Sequence, residues 1–269
     1  MSAAPAERVI FASGGHEFSR RTGNEALRDY ILGLSASDRP RICLLPTASG
    51  DPREQISAFE RAFGELQCSL SHISLFRLEA EPVTVREHLL TRDILYVGGG
   101  SMVNLLAIWR AHGIDEILRE AWKRRIVIAG QSAGAMCWFK FGITRSSGAP
   151  GVAPGIGLLP GSLCVHYHSH PERRAAYRHA VATGLPPGHG LDDQTGLLFR
   201  GCELVEVVSG RRGAGAWRVE ADGRGGCREE RLPQRAIADP RPAIDEPSAA
   251  VRELRQVRAA RARARFARR

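Results

Sequence analysis

The sequence of 269 residues predicts an α/β protein, a three-layer sandwich around a mostly parallel central sheet. Three observations carry that reading. Short runs rich in aliphatic and β-branched residues recur through the first half. Stretches with helical periodicity separate them. The runs are apolar at successive positions, as in strands covered on both faces.

RVIFAS at 8–13 reads as the first strand and RICLLP at 41–46 as the second, with helical periodicity from about Asn24 to Leu34 between them. Residues 52–65 are a second helix candidate, ISLFRL at 73–78 a third strand, and DILYVGGG at 93–100 a fourth strand ending in three glycines. MVNLLAIWR (102–110) and IDEILREAWKR (114–124) read as helices. RIVIAG (125–130) is a short apolar strand, and SAGAMCWF (132–139) turns straight into a helix. Further on, GLLPGSLCVHYHSH (157–170) is a loop and strand, and PERRAAYRHAV (171–181) a helix. GLLFRG and ELVEVVSG, near 196–210, read as antiparallel strands around a tight turn, and AWRVEADG (216–223) as an added edge strand. Beyond 224 the composition turns to Gly, Pro and Arg. The expected division is one α/β domain over 1–223 and a poorly ordered segment over 224–269.

A formal net charge of +9 and a pI near 9.9 suggest a nucleic-acid or anionic-membrane partner until the charge is located. Residues 251–269 hold eight Arg and one Glu, a charge of +7 out of the +9, so residues 1–250 carry only +2. The basic character belongs to a tail, read as a solvated arm, and nucleic-acid contact is not expected of it. No apolar run is long enough for a transmembrane helix, so no membrane partner is expected. The N-terminal MSAAPAERVIFASGG lacks a basic stretch followed by a long apolar one, and no signal peptide is expected. Six cysteines, at 43, 68, 137, 164, 202 and 227, include no CxxC pair; they read as free thiols of a cytoplasmic protein without structural zinc.

The sharpest local feature is Gly130-Gln131-Ser132-Ala133-Gly134, a G-x-S-x-G between an apolar strand and a helix. Small residues there permit a sharp turn with Ser132 at its apex and the Ala133 N–H facing a developing oxyanion. Gly99 and Gly100, at the carboxyl end of the preceding strand, are candidates for the second donor. A serine hydroxyl needs an adjacent base. Among nine histidines, His166, His168 and His170 cluster, and alternation along a strand would place all three on one face. That pattern admits a metal alternative with Asp192 and Asp193 as carboxylates, which would leave the serine turn idle.

Taken in order, Gly14-Gly15, YVGGG, NLLAIWRAHGIDEIL, AGQSAGAMCWF, GIGLLPGSLCVHY and LDDQTGLLF resemble the S51 serine peptidases, which include dipeptidase E (aspartyl dipeptidase) and cyanophycinase. The resemblance runs from about residue 8 to 210. It implies a fold like that of class I glutamine amidotransferases, with Ser in place of their Cys, and no cofactor or metal. It makes Ser132 the nucleophile and His166 the base, with Gly99, Gly100 and the Ala133 N–H in the oxyanion region. Two departures stand out. Ser101 follows the glycines where relatives often carry Asn. The segment ITRSSG (143–148) has Arg145 where relatives often carry an acid. The third triad member is therefore expected at Asp192, with Asp193 second.

The resemblance implies hydrolysis of small peptides, with preference for an N-terminal Asp. Gly14, Gly15, Arg145 and Arg173 are candidates to line the substrate site, with Arg174 a further cation. A homodimer is a candidate assembly. The alternatives are a cyanophycinase-like hydrolase and a non-catalytic peptide or small-molecule binder on the same fold, the latter motivated by the missing acid.

Overall fold

The computed structural model describes residues 7–15, 25–77 and 84–237. In chain order the first half runs Val9–Ser13 (β1), Glu25–Leu32 (α1), Arg41–Leu45 (β2), Arg53–Phe63 (α2), Ser69–His72 (β3), Val85–Leu90 (α3), Ile94–Val97 (β4), Met102–His112 (α4), Ile114–Lys123 (α5), Val127–Gln131 (β5) and Ala133–Met136 (α6). The second half runs Phe139–Thr144 (β6), Gly151–Pro154 (β7), Leu159–Val165 (β8), Pro171–Ala182 (α7), Gly188–Leu191 (β9), Thr195–Arg200 (β10), Glu203–Ser209 (β11), Ala216–Ala221 (β12), Cys227–Arg231 (β13) and Arg235–Ala236 (β14).

The central sheet has the order β14-β11-β10-β1-β5-β4-β2-β3. Strands β1, β5, β4, β2 and β3 are parallel, and β10 and β11 extend the sheet antiparallel from β1. Side chains of one strand alternate between faces, which explains the unbroken apolar runs. Val9 and Phe11 point to the layer of α1 and α2, whereas Ile10 and Ala12 point to the layer holding α4 and α5. Tyr96 and Val97 divide the same way. Trp109 and Trp138, ring centres 5.9 Å apart, sit in the second layer. Helix ends follow local chemistry. Ser101 caps α4 by accepting from the Asn104 N–H at 3.2 Å, and Gly113 at φ 66° joins α4 to α5.

A second sheet, ordered β13-β12-β9-β8-β6-β7, packs against this layer. Its far face is covered by Tyr177 and Val181 of α7. The parallel pairs β6–β8 and β8–β9 direct the carboxyl ends of β8 and β9 the same way. The loops after those strands carry His166 and Asp193.

The α/β class and the mostly parallel central sheet are as read from the sequence, and several elements differ. The third strand lies at 69–72, not 73–78. SLSH is an edge strand with little burial, whereas Leu75–Arg77 forms a 3-10 turn. Asp51 Oδ2 accepts from the Phe76 N–H at 3.1 Å and the Ser74 hydroxyl at 2.8 Å, which turns the chain out of the sheet. The helix after Ser132 stops at Met136, because Phe139 already pairs in β6. Strand β12 is interior, not an edge. The expected boundary at 223 also falls too early. The Gly-rich run there is a hairpin turn, with Gly223 and Gly225 at positive φ and Asp222 Oδ1 accepting from the N–H groups of Arg224 and Gly226. Order continues through β13 and β14. The basic tail at 251–269 lies outside the described residues. Among the described residues no helix is long and apolar enough to cross a membrane, and Cys43, Cys137 and Cys164 are buried thiols.

His189 in β9 is 8% exposed and lies between the rings of Phe139 and Phe199, with Nδ1 unpartnered among the described residues. Burial, and then Arg218 opposite it in β12, pull its pKa down from near 6.5 to about 4. The folded state therefore binds this proton less readily than the unfolded chain. The contribution is complete above pH 6.5 and is lost as pH falls toward 4. Between those limits His189→Leu should lose less stability than the wild type in chemical denaturation, by up to about 3 kcal/mol. Equal losses would contradict this environment for His189.

Candidate active site

The site begins at a turn that few residues tolerate. Strand β5 runs into Ser132, whose φ is 53° and ψ −111°, and α6 starts at the next residue. A non-glycine residue in such a conformation costs about 1–3 kcal/mol unless its surroundings enforce it. Here they do. A Cβ on Gly130 would lie 2.2 Å from the Gly134 carbonyl oxygen, and one on Gly134 would lie 2.3 Å from that of Val97. The two glycines let strand and helix touch. The Ser132 N–H donates to Ser13 O at 3.0 Å, and the Met136 N–H donates to Ser132 O at 3.0 Å. The hydroxyl is thereby presented at the carboxyl edge of the sheet.

Ser132 Oγ is 2.9 Å from His166 Nε2. His166 directly follows β8 and also has positive φ, 57°. Its Nδ1 is hydrogen-bonded to Asp193 Oδ1, and the Ser169 hydroxyl donates to Asp193 Oδ2 at 2.9 Å. The side chains of His166 and Asp193 are 14% and 13% exposed. A carboxylate only accepts, so Nδ1 carries the proton and Nε2 presents its lone pair to the serine hydroxyl.

The carboxylate at His166 is Asp193, which corrects the expectation of Asp192. Asp192 continues the β9–β12 ladder by one residue: its N–H donates to Gly215 O at 3.0 Å, and its Oδ2 accepts from the Gly215 N–H at 3.1 Å. That pairing turns the side chain toward His168. Asp192 Oδ1 accepts from His168 Nδ1 at 2.9 Å and from the His168 N–H at 3.1 Å. Asp193 is the next residue, and its carboxylate meets His166 and Ser169. The three clustered histidines do not share a face, because β8 ends at Val165 and the chain turns through 166–169. His170 lies edge-on to His166 and places Nδ1 3.4 Å from Glu172 Oε1. Among the described residues no three His, Cys, Asp or Glu side chains converge as metal ligands.

Gly14 and Gly15, expected at the substrate, lie instead beneath the His–Asp pair. A Cβ on Gly14 would fall 1.9 Å from Asp192 O, and one on Gly15 would fall 2.9 Å from His166 Cε1. The Gln194 N–H donates to Gly15 O at 3.1 Å, tying this loop to the one that carries Asp193. Gly99 packs on the elbow, where a Cβ would be 3.3 Å from Ser132 Cβ. The N–H of Ala133, in the first turn of α6, has no acceptor within that helix. Gly100, at φ 147°, abuts the 47–49 turn, since a Cβ would meet Ala48 O at 2.2 Å.

The candidate arginines separate clearly. Arg145 is paired with Glu172 at 2.9 Å, and Arg174 with Glu229. Arg173 is 8% exposed, donates from Nη1 to Val165 O at 3.4 Å, and makes no ion pair among the described residues. Burial lowers its pKa from the ordinary arginine value. Ser169 and Gly215 were not singled out from the sequence. Nothing distinguishes one serine or glycine of a loop until the loops are brought together.

Residues 9–207 match the profile of Peptidase family S51. The chain belongs to this family. An "Uncharacterized peptidase YgaJ" of Bacillus subtilis (strain 168) is 44% identical over 213 residues, which cover 79% of this chain and 92% of that one. In fold, this S51 chain is similar to the crystal structure of a peptidase from an acI-B1 Actinobacterium, with a TM-score of 0.61 and 17% identity over 85% of this chain and 95% of the other. It is also similar to a putative peptidase E protein from Listeria monocytogenes EGD-e, with a TM-score of 0.55 and 16% identity over 74% and 98%.

Gly15→Ala should push the His166 ring from its place, because the added carbon has no room and φ there is 126°. Peptidase activity should fall at least about tenfold, the usual result of a misplaced reacting group. Circular dichroism would check that the fold persists; a folded variant with wild-type activity would contradict the placement.

Proposed function

We propose that this S51 peptidase hydrolyses small peptides by a serine mechanism. The observation that carries the reading is the continuous line Ser132 Oγ, His166 Nε2, His166 Nδ1, Asp193 Oδ1. In it His166 takes the Ser132 proton as Oγ attacks the peptide carbonyl carbon. Asp193 keeps the imidazole in the tautomer with an unprotonated Nε2 and stabilises the imidazolium that forms. The N–H groups of Ala133 and Gly99 hold the developing oxyanion, and Gly100 sets the turn that brings Gly99 to the elbow. His166 then protonates the leaving amine. A water molecule, deprotonated by the same nitrogen, releases the acyl group from Ser132. Asp193 at Nδ1 favours this over a non-catalytic binder, since it fills the position left without an acid at 143–148.

The preferred substrate in this reading carries an acidic group, as in a dipeptide with an N-terminal Asp. Arg173 supports it. A buried guanidinium that makes no ion pair among the described residues, bonded to the carbonyl just before His166, has donor capacity left for a carboxylate.

Hydrolysis of Asp-X, Glu-X and Leu-X dipeptides by wild type and Ser132→Ala tests both parts. Wild type should favour Asp-X over Leu-X by at least about tenfold in kcat/KM, the worth of one charge-assisted contact. Ser132→Ala should lose at least about a thousandfold on every substrate. Equal rates across the panel would remove the acidic preference, and an active Ser132→Ala would remove the serine mechanism.

A further inference from the structure

Two adjacent aspartates each hold a histidine, and only one of these pairs belongs to the proposed reaction. The second pair has its own geometry. Asp192 is 5% exposed and sits among three N–H donors: the His168 main chain at 3.1 Å, His168 Nδ1 at 2.9 Å, and the Gly215 main chain at 3.1 Å. The three contacts occupy both carboxylate oxygens, two at Oδ1 and one at Oδ2. These bonds reach two segments that contribute to the site. One is the loop 166–169, which holds both His166 and Ser169. The other is the entry to β12, joined to the end of β9.

Further bonds close the arrangement. The Tyr167 N–H donates to Leu191 O at 3.1 Å, and Asp193 receives both His166 and Ser169. The loop after β8 and the loop after β9 are thus fastened at Leu191, Asp192 and Asp193 in succession. His166 and Gln194 both hold positive φ in these loops, 57° and 61°, conformations that need external restraint. The ring of His168 packs on Trp217 of β12 with centres 4.3 Å apart, which braces the same corner from the outside.

We propose that Asp192 is a positioning residue of this peptidase: through His168 and Gly215 it fixes the turn that aims Asp193 at His166. The inference rests on the serine mechanism proposed above. Without the Asp192 carboxylate the 192–194 turn loses its side-chain ties to His168 and to the Gly215 N–H. The Asp193 carboxylate then no longer holds Nδ1 firmly, and the fraction of His166 with Nε2 facing Ser132 falls.

The test is the pH dependence of kcat and KM for Asp192→Asn, with folded protein verified by circular dichroism. Asparagine keeps the volume but puts an NH2 group against one of three donors. A reacting group displaced by a lost support costs up to about 100-fold in activity, and that loss should fall on kcat with KM nearly unchanged. The acid limb of kcat/KM should move to lower pH, because an imidazolium less closely held by Asp193 gives up its proton more readily. His168→Phe is the second variant. It keeps a ring against Trp217 while removing the side-chain donor, and should shift the limb the same way with a smaller loss of kcat. If either variant folds with lowered stability but wild-type kcat and an unmoved acid limb, Asp192 is merely structural and the proposal falls. Ser132→Ala separates the two claims. An active Ser132→Ala overturns the mechanism itself, whereas an inactive one beside wild-type Asp192→Asn overturns only the positioning role.

Discussion

The site depends on a contact between backbones. Strand β5 and helix α6 approach closely enough that neither Gly130 nor Gly134 has room for a side chain, and the helix rests on the Val97 carbonyl of the neighbouring strand. That approach forces the intervening residue into a left-handed backbone conformation, and the residue there is Ser132. A central parallel sheet is well suited to hold such a turn. Its strands are buried on both faces, so the β5 end cannot yield without disturbing two packed layers. The Ser132 hydroxyl is held by a scaffold whose burial has nothing to do with chemistry.

The partners of Ser132 come from the second sheet, and their placement has a different physical origin. There the partners sit on loops, and side-chain hydrogen bonds do what core packing does around the elbow. Asp192 and Asp193 fasten the loop after β8 to the loop after β9. The close approach of Gly14 and Gly15 supports that junction from the central sheet. Glu229 of β13, held between Arg174 and Arg178 of α7, ties the far face of the same sheet to the helix that begins just beyond His170. This explains why the Gly- and Arg-rich stretch after 223 belongs to the folded body. One of its charged residues anchors the helix that packs behind the site.

Much of this was legible in the sequence where local pattern and global structure agree. The apolar runs of β1, β2, β4 and β5 gave both strand and two-sided burial. The glycines around Ser132 gave the turn and the candidate nucleophile at its apex. What escaped had competing local signals. SLSH is too polar to read as a strand, yet it pairs with β2 at the sheet edge. CWFKFGIT follows a helix start without a break, and only tertiary pairing makes it a strand. The choice between Asp192 and Asp193 could not be read locally, because the two are chemically identical neighbours. What separates them is one extra rung of the β9–β12 ladder, set by a glycine more than twenty residues away. The same limit applied to Gly14 and Gly15. The family resemblance singled them out, but the reason is the proximity of Asp192 and His166, which no local pattern contains.

In the proposed mechanism Asp193 orients His166 toward Ser132. Replacing Asp193 by Asn keeps the side chain's shape but removes the acceptor that holds Nδ1–H, inviting the opposite tautomer. The most direct measurement is kcat for Asp193→Asn at neutral pH on the best dipeptide substrate. This kcat should fall about ten-thousandfold, the scale seen when a histidine in such an arrangement is given the wrong tautomer. A folded Asp193→Asn with kcat within about tenfold of wild type, a cost under 1.4 kcal/mol, would show that His166 is oriented by something else.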